Sequence, residues 1–501
     1  MTDYKFDIQI AKQNNPIVSI GDFTIPRQKI TFLFGESGIG KSILSKAVYG
    51  LLDPARLNVR INDADYTDYL NQASTKFLQK NGFFVFQEPS THLNPLIKLS
   101  AQLKEGSLSQ SLDERQILRH LWETNKDGAI RKILEVYPKP HRPSGGEKQR
   151  ILLAMAFKKI NLLLSRKQTP QEHLFVFDEP TGSLDNNFRN LFLNLLFQKF
   201  NEFHFTSLLI THDYSIISEI YDSHPSLAKQ VAFKELMKND DQLVMQDFAP
   251  AAYLDWLKKE KAKPLSKKAA SSKKTVVKIA GGFEIFGKRM VISKDGSRKE
   301  YGELTINGGE MVYLKAASGA GKTTMAKIIM GLIRCERLQL TLSNRHFVDD
   351  TPKQAWQKHI WGKKAGMIFQ HADEALNLNA RVKEVFGGLP INGKITDEFI
   401  REQLAELFDI EINEAFLNKK VALLSGGQKQ RLNLLRTLAL DTDLIIFDEP
   451  LNGLDFLSIK KVIGMIQEKQ AQGKAILMIS HNEEIFDAIV PPESIYYLFS
   501  N

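Results

Sequence analysis

A single cysteine, Cys335, stands in 501 residues, which excludes an internal disulfide and leaves no cysteine-based zinc or iron–sulfur site to build. That scarcity fits a reducing cytoplasm. No stretch approaches the roughly 18 uninterrupted apolar residues that a helix needs to cross a bilayer. The opening MTDYKFDIQI has no apolar centre beside a basic segment, so no secretion leader is expected. By these absences the chain is expected neither to enter nor to span a membrane by itself. Disorder and fibrous repeats are equally unexpected, with 43% hydrophobic and 25% charged residues.

What is present is length, too much for one ordinary core, so two domains are the first expectation. The formal charge of +9 would suit a nucleic-acid partner, but much of it lies in KKEKAKPLSKKAASSKK at 258–274. Eight lysines there oppose Glu260 alone, and Ser, Ala and one Pro fill the rest. The run reads as a solvated linker, with an electrostatic foot for RNA or anionic lipid as the alternative.

The same ordered landmarks occur on both sides of that run. The first set is GESGIGKS (35–42), VFQEP (85–89), PSGGEKQR (143–150), LFVFDEPTGSLD (174–185) and LLITHD (208–213). The second is AASGAGKT (316–323), MIFQ (367–370), LSGGQKQR (424–431), LIIFDEPLNGLD (444–455) and LMISHN (477–482). Lys41 to Gln87 is 46 positions against 48 for Lys322 to Gln370, and Glu179 to His212 is 33 against 32 for Glu449 to His481. Only Ser144 to Glu179 departs, at 35 against 24 for Ser425 to Glu449, and the excess falls in KKINLLLSRKQTPQEH as a surface insertion or a helix extension. Short apolar runs bounded by breakers (ITFLF, FFVF, LFVF, SLLI; then MVYLK, GMIF, LIIF, AILMI) predict buried strands of a largely parallel sheet. Helical patterns follow the glycine loops and the SGG motifs, so each half reads as an α/β core with a mostly helical insert between Gln and SGG.

In Gly35, Glu36, Ser37, Gly38, Ile39, Gly40, Lys41 and Ser42 the glycines let the backbone wrap phosphates, with N–H groups and a helix N-terminus facing the charge. Lys41 would neutralise the β and γ phosphates of ATP, and Ser42 would ligate Mg²⁺. Ala316, Ala317, Ser318, Gly319, Ala320, Gly321, Lys322, Thr323 and Thr324 form the second such loop, with Lys322 and Thr323 in the same roles. Asp178 and Asp448 close strands where a carboxylate can hold Mg²⁺, and Glu179 and Glu449 follow where they can polarise the attacking water. His212 and His481 end later strands within reach of a γ phosphate, and Gln87 and Gln370 can reach metal and water. Ser144, Gly145 and Gly146, and likewise Ser425, Gly426 and Gly427 with Gln428, open helices as second phosphate-binding N-termini that carry no lysine. They fit best as lids lent by one half to the other, with ATP sandwiched between.

Together these residues resemble the ATP-binding cassette (ABC) ATPases, with Walker A, Q-loop, signature, Walker B, D-loop and H-loop in order over nearly the whole chain. The resemblance implies an α/β fold of two P-loop NTPase domains in tandem, each with a helical subdomain. The expected division is 1–255 and 276–501, with the linker at 256–275. VFQEPSTHLNPL and IFQHADEALNLNARV look like the Q-loop regions of paired peptide and nickel importer ATPases. That implies an ATP-hydrolysing subunit on the cytoplasmic side of the inner membrane, beneath two transmembrane permease subunits and, indirectly, an extracytoplasmic solute-binding protein. Peptides, nickel and metal chelates are the implied cargo, and no nucleic acid is expected. A translation-associated tandem ABC factor is the alternative, and a sugar-importer ATPase a third reading. Departures are the missing cysteine-rich extension, Pro143 and Glu147 in the first signature, and Ala316 in the second Walker A. They converge on the Lys322 site, which is therefore expected to be the weaker. An adenine-stacking aromatic is expected before each Walker A, with Phe286 a candidate in the second half and none evident in the first.

Overall fold

The computed structural model describes residues 3–13, 15–104, 114–123, 128–136, 139–141, 143–165, 173–182, 186–239, 242–263, 272–280, 282–285, 287–294, 296, 303–317, 319–391 and 393–500. The chain divides into two compact units, Met1–Tyr253 and Leu254–Asn501.

In the first unit, β1 (Tyr4–Lys12), β2 (Asn15–Ile25), β4 (Asn58–Ile61) and β5 (Ala64–Asp65) form an antiparallel sheet in the order β2-β1-β4-β5. The second sheet runs β10-β9-β3-β8-β7-β6, from β3 (Ile30–Phe34), β6 (Phe83–Val85), β7 (Leu174–Asp178), β8 (Thr206–Ile210), β9 (Val231–Asn239) and β10 (Gln242–Asp247). All its pairings are parallel except β9 with β10. β3, β7 and β8 are buried along their whole length, which is why ITFLF, LFVFD and TSLLI are mostly apolar rather than alternating, with Thr31, Asp178, Thr206 and Ser207 as their buried polar members. Leu33 and Asp178 both pair with Ile210, so the carboxyl ends of three neighbouring strands finish level. In such a sheet that edge is where ligands bind.

The second unit repeats the plan. Its antiparallel sheet is β14-β11-β16-β17, from β11 (Ser272–Ile279), β14 (Leu304–Gly308), β16 (Leu340–Leu342) and β17 (Arg345–Phe347). The other sheet runs β12-β13-β21-β15-β20-β19-β18, from β12 (Phe283–Ile285), β13 (Lys288–Ser293), β15 (Met311–Lys315), β18 (Ala365–Ile368), β19 (Leu444–Asp448), β20 (Ala475–Ile479) and β21 (Ile495–Ser500). β15 thus takes the place of β3, between the partners that correspond to β8 and β9.

Between the Gln and SGG motifs the described chain is helical, for example Leu99–Lys104 and Glu114–Leu121 in the first unit and Asp397–Ala405 in the second. The spacing excess of the first half is in large part a longer helix: Gly145–Ser165 spans 21 residues, against 13 for Gly426–Leu438. A surface insertion is not what residues 158–165 form. Phe157, Ile160 and Leu163 are buried, and Lys158, 4% exposed, bonds the Leu103 carbonyl and faces Glu114 at 3.8 Å. Burying that ammonium without such partners would be costly, and these two help the lysine of KKINLLLS pack inward. Of the stretch expected as linker, 256–262 belong to the helix Pro250–Ala262 and 272–275 to β11, while 264–271 lie outside the described residues.

Candidate nucleotide sites

Each glycine loop follows a central strand and ends on a helix, Lys41–Tyr49 or Lys322–Ile329. Gly38, Gly40, Gly319 and Gly321 have φ of +83°, +123°, +76° and +97°, conformations that a Cβ disfavours. A matching turn closes each loop, Ile39 N to Glu36 O and Ala320 N to Ala317 O. Gly35 adopts φ +137°, and a Cβ there would lie 2.6 Å from the Leu236 carbonyl oxygen of β9. Its counterpart Ala316 is not among the positive-φ residues, and its methyl packs on the second core. The alanine departure therefore reflects a differently placed strand end, not a damaged loop. Lys41 Nζ donates to the carbonyls of Gly35 (2.6 Å) and Glu36 (2.9 Å), and Lys322 Nζ to that of Ala316 (2.7 Å). Both amines are curled over their own loops, beside the N–H groups that would cradle phosphate.

At the end of β7, Asp178 Oδ1 accepts from Ser42 Oγ at 2.8 Å, and at the end of β19, Asp448 Oδ1 accepts from Thr323 Oγ1 at 3.1 Å. The other oxygen of each carboxylate, Oδ2, is buried with no hydrogen-bond partner. Burial pushes both carboxyls above the ordinary carboxylate range. An orphaned buried oxygen beside a hydroxyl, repeated in both units, is the donor set a hard cation prefers. Among the described residues no group of three or more His, Cys, Asp or Glu could hold a metal, so beyond the Ser/Thr–Asp pairs, and Gln87 and Gln370 if they reach it, Mg²⁺ would take its ligands from water and phosphate.

Glu179 and Glu449 come next, both left-handed at φ +46° and +51°. Their amides bond the carbonyls of Ile210 (3.0 Å) and Ile479 (2.9 Å), which pins each glutamate to the neighbouring strand. Nothing in DEP announces a left-handed residue, and the sequence reading missed it.

The two carboxylates then part company. Glu179 Oε2 accepts from Gln87 Nε2 at 3.0 Å, and Oε1 lies 3.4 Å from His212 Nδ1. Burial acts to raise Glu179 and to lower His212, but their mutual attraction prevails, so the acid is held below and the imidazole above its ordinary range. Glu449 Oε2 instead accepts from Ser480 Oγ (3.0 Å) and the His481 amide (3.1 Å), and His481 presents Nε2 to Oε1 at 3.5 Å. Burial pushes Glu449 up to about 7. Gln370, half-buried, is not among its partners. The structure thus joins Gln87, Glu179 and His212, but leaves Gln370 apart from Glu449 and His481.

Ser144–Gly146 and Ser425–Gly427 stand at helix starts as expected from the motif. Ser144 N donates to Glu147 Oε2 (2.7 Å) and Glu147 N to Ser144 Oγ (3.3 Å), a reciprocal cap. Ser425 and Gln428 make the same pair at 3.1 Å in both directions. Glu147 therefore replaces glutamine without loss of the cap, while placing a carboxylate at a helix end suited to anions. Ser318 and Phe286 lie outside the described residues. Sequence reading also passed over Ser480 and Arg189. Arg189 Nη1 bonds Asp213 Oδ2 at 2.9 Å and also reaches the Ser215 hydroxyl, clamping the residue after His212. Ser480 stood visibly in LMISHN, but nothing in its spacing distinguished it.

Doubled phosphate loops, with a carboxylate, a glutamate and a histidine level along one sheet edge, define a tandem P-loop ATPase. The chain belongs to the ABC transporter family, whose description matches residues 19–182 and 302–452, well over half of its length. Members of that family hydrolyse ATP to power transport. The chain is 27% identical to the uncharacterized ABC transporter ATP-binding protein YejF of Escherichia coli K12, over 91% of this chain and 86% of that protein. It is 25% identical to the peptidoglycan transport ATP-binding protein YejF of Agrobacterium fabrum (96% and 88% covered). With the glutathione import ATP-binding protein GsiA of Shigella dysenteriae it shares 24% (95% and 81%). The solved structure of an RNase-L Inhibitor is similar at a TM-score of 0.62 and 17% identity, covering 98% of this chain and 89% of that one, a likeness of fold alone.

Proposed function

We propose that this chain is the ATP-hydrolysing subunit of an ABC importer, working at the cytoplasmic face of the inner membrane beneath two permease subunits fed by a solute-binding protein. The observation that carries the reading is the doubled Ser/Thr–Asp–Glu–His arrangement, in a chain whose relatives, matched over more than four fifths of their length, include import and transport ATP-binding proteins. Lys41 and Lys322 would leave their loop carbonyls for the β and γ phosphates, and the loop N–H groups would complete the cradle. Ser42 with Asp178, and Thr323 with Asp448, would hold Mg²⁺, which neutralises charge on the phosphates. Glu179, oriented by Gln87 and ionised beside His212, would polarise the attacking water. Each signature helix, from Ser144 or Ser425, would close on the triphosphate of the opposite half. Small peptides, peptide conjugates, nickel or metal chelates are the proposed cargo.

Two measurements test this. Affinity purification from detergent-solubilised membranes of the encoding organism should bring down two integral membrane proteins; recovery with ribosomes, lost at high salt, would replace the importer reading by a translational one. In the purified chain, Glu179→Gln should remove more ATPase activity than Glu449→Gln, because only Glu179 already sits between its glutamine and histidine. The reverse order would contradict the assigned asymmetry.

A further inference from the structure

The two units act as internal controls for one another, and the residue before each H-loop histidine is bonded differently in each. In the first unit that residue is Thr211, whose Oγ1 accepts from the Asp213 amide at 3.0 Å. Its partner two positions on, Asp213, is a carboxylate held by Arg189, so it offers the threonine no side-chain donor. Thr211 is not among the partners of Glu179, both of whose oxygens face Gln87 and His212.

In the second unit the residue is Ser480, 2% exposed. Its Oγ accepts from the Asn482 amide at 3.1 Å and lies 3.4 Å from Asn482 Nδ2. A hydroxyl has two acceptor lone pairs and one proton. With Asn482 on the acceptor side, the proton goes to Glu449 Oε2 at 3.0 Å. The same oxygen takes the His481 amide, so two donors just beyond the end of β20 hold the carboxylate against that neighbouring strand. The scaffold beneath is rigid, since Tyr313 Oη donates to the Ser480 carbonyl at 2.9 Å. Replacing Asp213 by Asn482 and Arg189 by the aliphatic Ile459, at the same distance from the glutamate, turns a clamp on the histidine loop into a hook on the glutamate.

We infer that Ser480 is a positioning residue that hooks the Glu449 carboxylate away from Gln370 and holds turnover at the second site below that of the first. The inference rests on Glu449 being the hydrolytic group of its site. To meet a water held by Gln370, the carboxylate must give up the serine bond, and hydrogen bonds to charged groups are among the stronger ones.

The test uses the full chain carrying Glu179→Gln, so that the remaining ATPase activity reports the second site. Adding Ser480→Ala should raise kcat about tenfold to a hundredfold, the range for losing one such bond to a charged group, with KM for ATP unchanged. Ser480→Thr keeps a hydroxyl and should leave kcat within about twofold, which a general loosening of the loop would not do. A Ser480→Ala kcat that is unchanged or lower, or a Ser480→Thr kcat that rises as much, overturns the inference. The Glu179→Gln, Glu449→Gln double variant separates the two levels. If it is inactive while Ser480→Ala does nothing, the hook fails and the assignment of Glu449 stands; if it still turns over, both fall.

Discussion

Gly35→Ala is the most severe small change available at the first site, and its cost can be worked from two facts. The new Cβ would lie 2.6 Å from the Leu236 carbonyl oxygen, about 0.8 Å inside ordinary van der Waals contact, and that oxygen belongs to the backbone of β9. β9 cannot drift, since it is bonded in register to β3 from Ile30 to Phe34. Overpacking of this kind costs about 1–3 kcal/mol, and a non-glycine residue at φ +137° adds about 1–3 kcal/mol. The sum, about 2–6 kcal/mol, is a thirtyfold or greater rise in the population of the opened unit. Hydrogen exchange read peptide by peptide assigns the loss: β3 and the helix Lys41–Tyr49 should lose at least thirtyfold in protection, while β15 and Lys322–Ile329 stay as they were. Ala316→Gly should cost no more than about 2 kcal/mol, the entropy of one glycine and the loss of one partly buried methyl. Gly35→Ala exchanging within threefold of the parent would refute the close approach of β9 and the contrast drawn between the loops.

Two further outcomes follow from the histidine loop and the signature caps. Arg189→Met strips a partly buried carboxylate of its cation and should destabilise the first unit by about 1.5–3 kcal/mol in urea unfolding, the range for a hydrogen bond to a charged group. Burial would raise Asp213, but Arg189 and Ser215 hold it below the ordinary range, so its contribution is present above the unfolded carboxylate pKa and is lost as pH falls through the lower folded value. Asp213→Asn should abolish that acid-side dependence. Ser144→Ala and Ser425→Ala should each cost about 1 kcal/mol in helix capping, yet under the proposed exchange of signatures Ser425→Ala should remove more ATPase activity. Equal activity losses would argue against signatures exchanged between halves.

Much of the plan was legible because parallel strands buried on both faces are largely apolar, as LFVF and AILMI are and ITFLF is apart from Thr31. Motif order located the strand ends of the two sites to within two residues, β8 and β20 stopping at Ile210 and Ile479 ahead of the histidines. What stayed hidden depends on neighbours distant in sequence. Gly35 is constrained by Leu236, some two hundred positions on, and Lys158 reads as a solvent-facing lysine until Leu103 and Glu114 are beside it. The contrast between Glu179 and Glu449 turns on side-chain rotation, which identical DEP motifs cannot encode.

The left-handed backbone at both glutamates bears on how such a chain can age. A β-branched residue there would face a steric penalty on top of the lost carboxylate, whereas Gln, Asn or Asp can keep the turn. Drift away from hydrolysis should pass first through those polar replacements, silencing an engine while leaving its casing sound. A cassette retired in this manner would go on gripping nucleotide, and so could survive as a ratchet pawl for its working twin.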